Sequence, residues 1–125
     1  MAASKLDGAG TQKMKTLDEA FLTLTRINAM IERAAVEAKN NKPIGPLPLQ
    51  VKRAAVPMQG QLKGQFGMIA DQVALFILNS TRGGGGDQSK IRAMREGLAM
   101  IKQSLEFAVS KTKELHSVAI EIAPD

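Results

Sequence analysis

Residues 91–119 restrict the fold more than any other stretch. Ile91, Met94, Leu98, Ile101, Leu105, Ala108, Thr112, Leu115 and Ala119 alternate steps of three and four without a break. That spacing places one side chain per turn on a single helix face, so a helix of about eight turns must bury one stripe against other helices. Met100 and Phe107 flank the stripe, which makes the apolar face wider than a two-stranded coil requires. This third helical segment is expected from Asp87 to about Val118.

Two more helical patterns precede it, and no stretch alternates with period two for long. In the first, Thr16 followed by Glu19 has capping-box spacing, so the helix is expected to start there, after a flexible polar tail over residues 1–15. Leu17, Ala20, Phe21, Leu24, Ile27, Ile31, Ala34, Ala35 and Ala38 form its apolar face. Asn28 falls on that face and reads as a satisfied core amide that fixes register. The pattern fades at KNNKPIGPLPLQ, where Pro43, Pro46 and Pro48 forbid its continuation.

The second pattern runs from near Leu49 to about Arg82, and Pro57 is expected to kink or split it. Leu62, Phe66, Ile69, Val73 and Phe76 give its stripe. Gly60, Gly64 and Gly67 form another at 4-3 spacing; each helical glycine costs about 1 kcal/mol against alanine, so close helix approach is the expected reason for them. Val73 to Leu78, including Leu75 and Leu78, is apolar all round and should be covered on every side, within the chain or by a partner.

The fold class is therefore all-α: an antiparallel up-and-down bundle of three long helices, with the split second one as a possible fourth. A single domain is expected over residues 16–120, with a short C-terminal tail over 121–125. A chain of 125 residues can bury a core without staples.

Chemistry is sparse. There is no cysteine, which excludes disulfides and thiolate sites and fits a reducing compartment. GGGGDQSK, residues 83–90, superficially suggests a phosphate-cradling loop. A helix precedes it instead of a strand, and Asp87 would repel an anion at the helix start. It reads as a hinge, with Gly83 ending one helix in the left-handed conformation and Asp87 capping the next. Leu62-Lys63-Gly64 is similar to part of the histidine phosphotransfer signature, but Gly60 stands where the histidine would be. His116, the only histidine, has no paired carboxylate or cysteine and so makes neither a metal site nor a triad. No catalytic constellation, metal site or cofactor site is expected, nor a membrane span or signal peptide. A cytoplasmic protein is the default.

The charge points further. Lys and Arg total 17 against 12 acids, a net charge of +5, which favours anionic partners. Five cations and no acid lie between Ala38 and Ala70, among them Lys52, Arg53 and Lys63. Arg92, Arg95 and Lys102 share a stripe of the third segment, and Arg82 and Lys90 flank the glycines. Spaced cations without aromatics would grip phosphates and not read bases. The alternative is a solvated helix face on a scaffold protein with no nucleic-acid role. Clustering of the cations on the folded surface would favour the first reading, dispersal the second.

Residues 72–77 (QVALFI) and 89–108 (SKIRAMREGLAMIKQSLEFA) resemble the accessory variability determinant (Avd) family of diversity-generating retroelements, and more distantly the four-helix proteins encoded in ribosomal-RNA intervening sequences. Ile91, Leu98, Ile101, Lys102, Leu105, Phe107 and Ala108 stand at the family's helix positions, with Glu106 where the family has arginine. The resemblance implies a non-enzymatic four-helix subunit. It would form a five-membered homo-oligomeric ring with a basic surface. It would bind the reverse transcriptase and RNA or DNA without strong sequence preference, in support of mutagenic retrohoming. Lys102 would lie on the family's basic helix, with Arg92 and Arg95 beside it. Family members carry a further helix after this one. Here the N-terminal segment, the split second helix or a neighbouring molecule would have to supply it.

Overall fold

The computed structural model describes residues 2–82 and 85–121. Four helices form the bundle: α1 (Gly8–Lys39), α2 (Leu47–Lys63), α3 (Gly67–Arg82) and α4 (Asp87–His116). Two short strands, β1 (Ala2–Leu6) and β2 (Ser117–Glu121), pair antiparallel from Ala2 opposite Glu121 to Leu6 opposite Ser117. The expected all-α up-and-down bundle is the fold, extended at one end by this ribbon of the two termini.

The helices pack around a square. α1 meets α2 and α4, and α3 meets α2 and α4, so α1 and α3 face each other across one diagonal and α2 and α4 across the other. At 1.5 Å per residue α1 is about 48 Å long and α4 about 45 Å, against about 25 Å for each of α2 and α3. The long pair therefore projects past the short pair and carries the ribbon.

The core is aliphatic. Leu17, Ile27 and Ile31 of α1, Val51, Met58 and Leu62 of α2, Val73 of α3, and Ile91, Met94, Ile101 and Leu105 of α4 are all fully buried. The α4 stripe is as the spacing predicts from Ile91 to Thr112. Beyond that, Leu115 is exposed and Ala119 belongs to β2.

The structure corrects four expectations. α1 starts at Gly8, so residues 8–15 are helix and not tail; its cap is Asp7, whose Oδ1 accepts from the Gly10 amide at 2.6 Å. Thr16 is buried inside the helix, and its hydroxyl lies 3.0 Å from Gln65 Oε1 and 3.2 Å from the Gln12 carbonyl oxygen. Secondly, Asn28 is exposed and not a core amide; the buried face of α1 is narrower than its apolar residues suggested.

Thirdly, the second segment divides at Gly64–Phe66 and not at Pro57, which lies within α2. Pro57 and Arg53 are both exposed, so the Arg53 carbonyl that lacks a helical donor is open to water. At the true break the Phe66 amide donates to the Leu62 carbonyl at 2.7 Å, and the chain reverses. The α2–α3 hairpin supplies the fourth rod.

Fourthly, a Cβ at Gly60, Gly64 or Gly67 would meet nothing within 4 Å, so these three are not points of helix contact within the chain. The close approach is at Gly97 of α4, where a Cβ would lie 2.6 Å from Phe76 Cδ1 of α3.

Gly83 lies outside the described residues. Gly85 follows with φ +92°, in the left-handed region open to glycine. Asp87 opens α4 as its first helical residue, and its Oδ2 accepts from the Ile44 amide at 3.2 Å. The acid of the glycine hinge thus ties the α1–α2 connector to the start of α4.

Candidate functional site

Two surfaces stand out, one apolar and one cationic. The apolar one follows the α3–α4 seam. Met68, Leu75 and Leu78 of α3 and Met100, Phe107 and Leu115 of α4 are exposed, against two large apolar residues on α1 (Leu22, Val36) and two on α2 (Leu49, Val56). Val73–Leu78 is therefore not covered on all sides by this chain: Leu75 and Leu78 face out.

A groove of about 520 Å³ occupies the end of this seam where α4 outruns α3. Phe66, Met68, Ile69, Phe107, Ala108 and Leu115 form its apolar walls, and Lys13, Lys111 and His116 are its charged residues. A smaller hollow of about 90 Å³ continues it between Leu75, Phe76, Asn79, Gly97, Met100 and Ile101. Gln72 lines both, and its Oε1 is buried without a hydrogen-bond partner.

The groove ends on a cluster that joins the two ends of the chain. Lys13 Nζ lies 3.0 Å from His116 Nε2, and His116 Nδ1 lies 3.4 Å from Asp7 Oδ2. The backbone repeats the link, with the Asp7 amide donating to the His116 carbonyl at 3.0 Å. His116 thus has a carboxylate partner from a residue 109 positions away. The Gly10 amide holds the Asp7 carboxyl below its ordinary range, with the His116 hydrogen bond and the charges of His116 and Lys13 adding to it.

The cationic surface lies on the opposite side of α4. Arg95 and Lys102 line a hollow of about 300 Å³ against Phe21, Thr25 and Asn28 of α1, and Arg92 shares the next one with Arg95. Arg95 is engaged: its Nε and an Nη donate to the two oxygens of Glu32, each at 2.7 Å. That fork lowers the Glu32 pKa and raises that of Arg95.

The eight sequence-selected cations do not converge. Arg92, Arg95 and Lys102 form one row on α4, whereas Lys52, Arg53 and Lys63 are exposed on α2, across the diagonal. Arg82 is exposed at the end of α3, and Lys90 is half-buried in the first turn of α4. Among the described residues there is no group of three His, Asp or Glu side chains placed to hold a metal. No described helix is long and apolar enough to cross a membrane.

Met100, Phe107, Leu75 and Leu78 were visible in the sequence, but the groove was not. Met68 and Leu115 line it, yet they lie on different helices and no periodicity links them. No protein-family model matches the chain, and neither a curated protein nor a solved structure matches it.

Proposed function

We propose that this chain is a non-enzymatic helical-bundle interaction protein that docks another protein on its α3–α4 face. The observation that carries this reading is the one-sided exposure of large apolar side chains. Six of the ten lie on α3 and α4, three on each, and five of them, all but Leu78, line two neighbouring hollows of the α3–α4 seam. Singly scattered apolar residues need no explanation, but a contiguous band is the usual mark of an interaction surface. Dispersal of the cations over diagonal helices fits a scaffold better than a polyanion clamp.

The test is site-specific photo-cross-linking in cells that naturally produce the protein. A photoreactive residue at position 100 or 107 is expected to capture a protein, and one at position 36, on α1, is not. Equal capture from all three positions, or none from any, would remove the reading.

A second reading is that of an Avd-like accessory subunit binding reverse transcriptase and nucleic acid, assembled as a pentameric ring. It is favoured by two observations. The α2–α3 hairpin completes four rods within one chain, and Arg92, Arg95 and Lys102 form a row on α4. In this reading the apolar α3–α4 band serves subunit or polymerase contacts, and the row meets phosphates. Its test is RNA binding by variants of the two cation sets.

A further inference from the structure

We propose that β2 is an open sheet edge on which a second copy of this chain pairs, strand to strand, so that two ribbons join into one antiparallel sheet of order β1-β2-β2-β1. The inference is independent of the α3–α4 face.

The ribbon is incomplete as a sheet. Among the described residues β1 and β2 pair only with each other. The ribbon's main contacts beyond that are with α1 and α4, the helices it continues. Each strand therefore has an outer edge along which the N–H and C=O groups of alternate residues have no partner strand. Two strands alone are marginal in water, and a sheet gains independent stability at three or more. An added strand supplies what the ribbon lacks, through backbone hydrogen bonds.

The residue types select β2 as the receiving edge. β1 reads Ala2-Ala3-Ser4-Lys5-Leu6, and lysine is a residue by which edge strands discourage pairing. β2 reads Ser117-Val118-Ala119-Ile120-Glu121, with two β-branched residues of high strand propensity and no cation. They also select the occupant, because β2 is complementary to itself. Laid antiparallel on its own copy about Ala119, it sets Val118 opposite Ile120 twice, Ala119 opposite Ala119, and Glu121 opposite Ser117. No like charges meet, and apolar cross-strand pairs are the unit of sheet stabilisation.

The topology leaves room for this pairing. Both strands of the ribbon join their helices at the same end, where Leu6 is opposite Ser117. Antiparallel pairing of β2 with its copy therefore sends the second bundle to the far end of the shared sheet. The contact is isologous and closes at two copies. The two β1 strands, each with its lysine, become the outer edges.

Five residues a side make a small contact, so a weak dimer is expected, with a dissociation constant of about 100 µM. Sedimentation equilibrium of the full chain over about 10–1,000 µM should raise the mean mass from one chain toward two. Ala119→Lys and Ala119→Glu each put like charges opposite each other at the twofold axis, and each alone should dimerise about tenfold more weakly. An equimolar mixture of the two variants should dimerise again, at least as tightly as the unaltered chain. Position 119 lies outside the four helices and is paired with Ser4 within the chain, so helical circular dichroism should be unchanged in both.

A single chain at every concentration would overturn the proposal. So would a five-chain particle, a dimer indifferent to both single variants, or a mixture no tighter than either variant alone. Loss of the dimer with Phe107→Asp but not with Ala119→Lys would move the contact to the α3–α4 face, against the proposal.

Discussion

Gly97 and Gly60 show how little a residue's type says about its role. Both are helical glycines, and each forfeits about 1 kcal/mol of helix propensity. Gly60 has open space around it, whereas Gly97 lies against the buried Phe76 ring. Gly60→Ala should therefore raise the unfolding free energy by about 1 kcal/mol. Gly97→Ala should lower it, because displacing a packed ring costs about 1–3 kcal/mol and outweighs the propensity gain. Denaturant titration of both variants checks the pair; stabilisation by both would mean that Phe76 moves freely. Asp7 adds a pH dependence at the same scale. Its carboxyl is held low in the folded chain, chiefly by the Gly10 amide. The stability it contributes is present above the unfolded pKa, near 3.8, and is lost as pH falls through the lower folded value. Asp7→Asn keeps a capping oxygen but removes the titration. The melting temperature of the wild type should exceed that of the variant at pH 7, and the gap should close as pH falls below about 3.8. A gap that is constant with pH would contradict the assignment.

At the scale of elements, Pro57 supplies a direct check. It sits in the interior of α2 without breaking it. Pro57→Ala restores a donor for the Arg53 carbonyl and should stabilise the fold, by up to about 3 kcal/mol. Loss of stability in denaturant titration would instead show that the ring's fixed φ sets the course of α2. The same proline marks what was legible in the sequence. The α4 stripe could be read nearly to its end, since one buried face with steps of three and four admits no other element. The α2–α3 turn could not, because Leu62, Phe66 and Ile69 keep helical phase across it, so the apolar pattern runs on where the backbone reverses. Gly64 and Gly67, read as a contact stripe, flank the turn. The start of α1 was hidden by Thr16 and Glu19, whose spacing imitates a cap while the hydroxyl reaches Gln65 at the hairpin tip. Of the candidate site, the outward apolar residues of α4 were visible one helix at a time. The groove exists only because α4 outruns α3, a difference in length that no local pattern encodes.

Over the whole molecule, the decisive property is the separation of the two cation sets. Lys52, Arg53 and Lys63 lie on α2, and Arg92, Arg95 and Lys102 lie across the diagonal on α4. A single strand of RNA touching one side of a monomer meets one set at most. If α4 carries a nucleic-acid surface, replacing its three cations by alanine should weaken single-stranded RNA binding at low salt. The log–log salt slope should then fall by about 1.4, at roughly 0.7 for each of the two phosphates met by Arg92 and Lys102, since Arg95 is held by Glu32. The α2 triple should leave both unchanged. Glu32→Ala should strengthen binding, since it frees Arg95 from its carboxylate fork. Equal weakening by the two triples would describe a diffuse positive charge with no site. No binding by the unaltered chain at low salt would remove the nucleic-acid reading and leave the apolar α3–α4 face as the working surface. The α4 row and the groove lie on opposite sides of one helix, so each set of variants can be judged without disturbing the other.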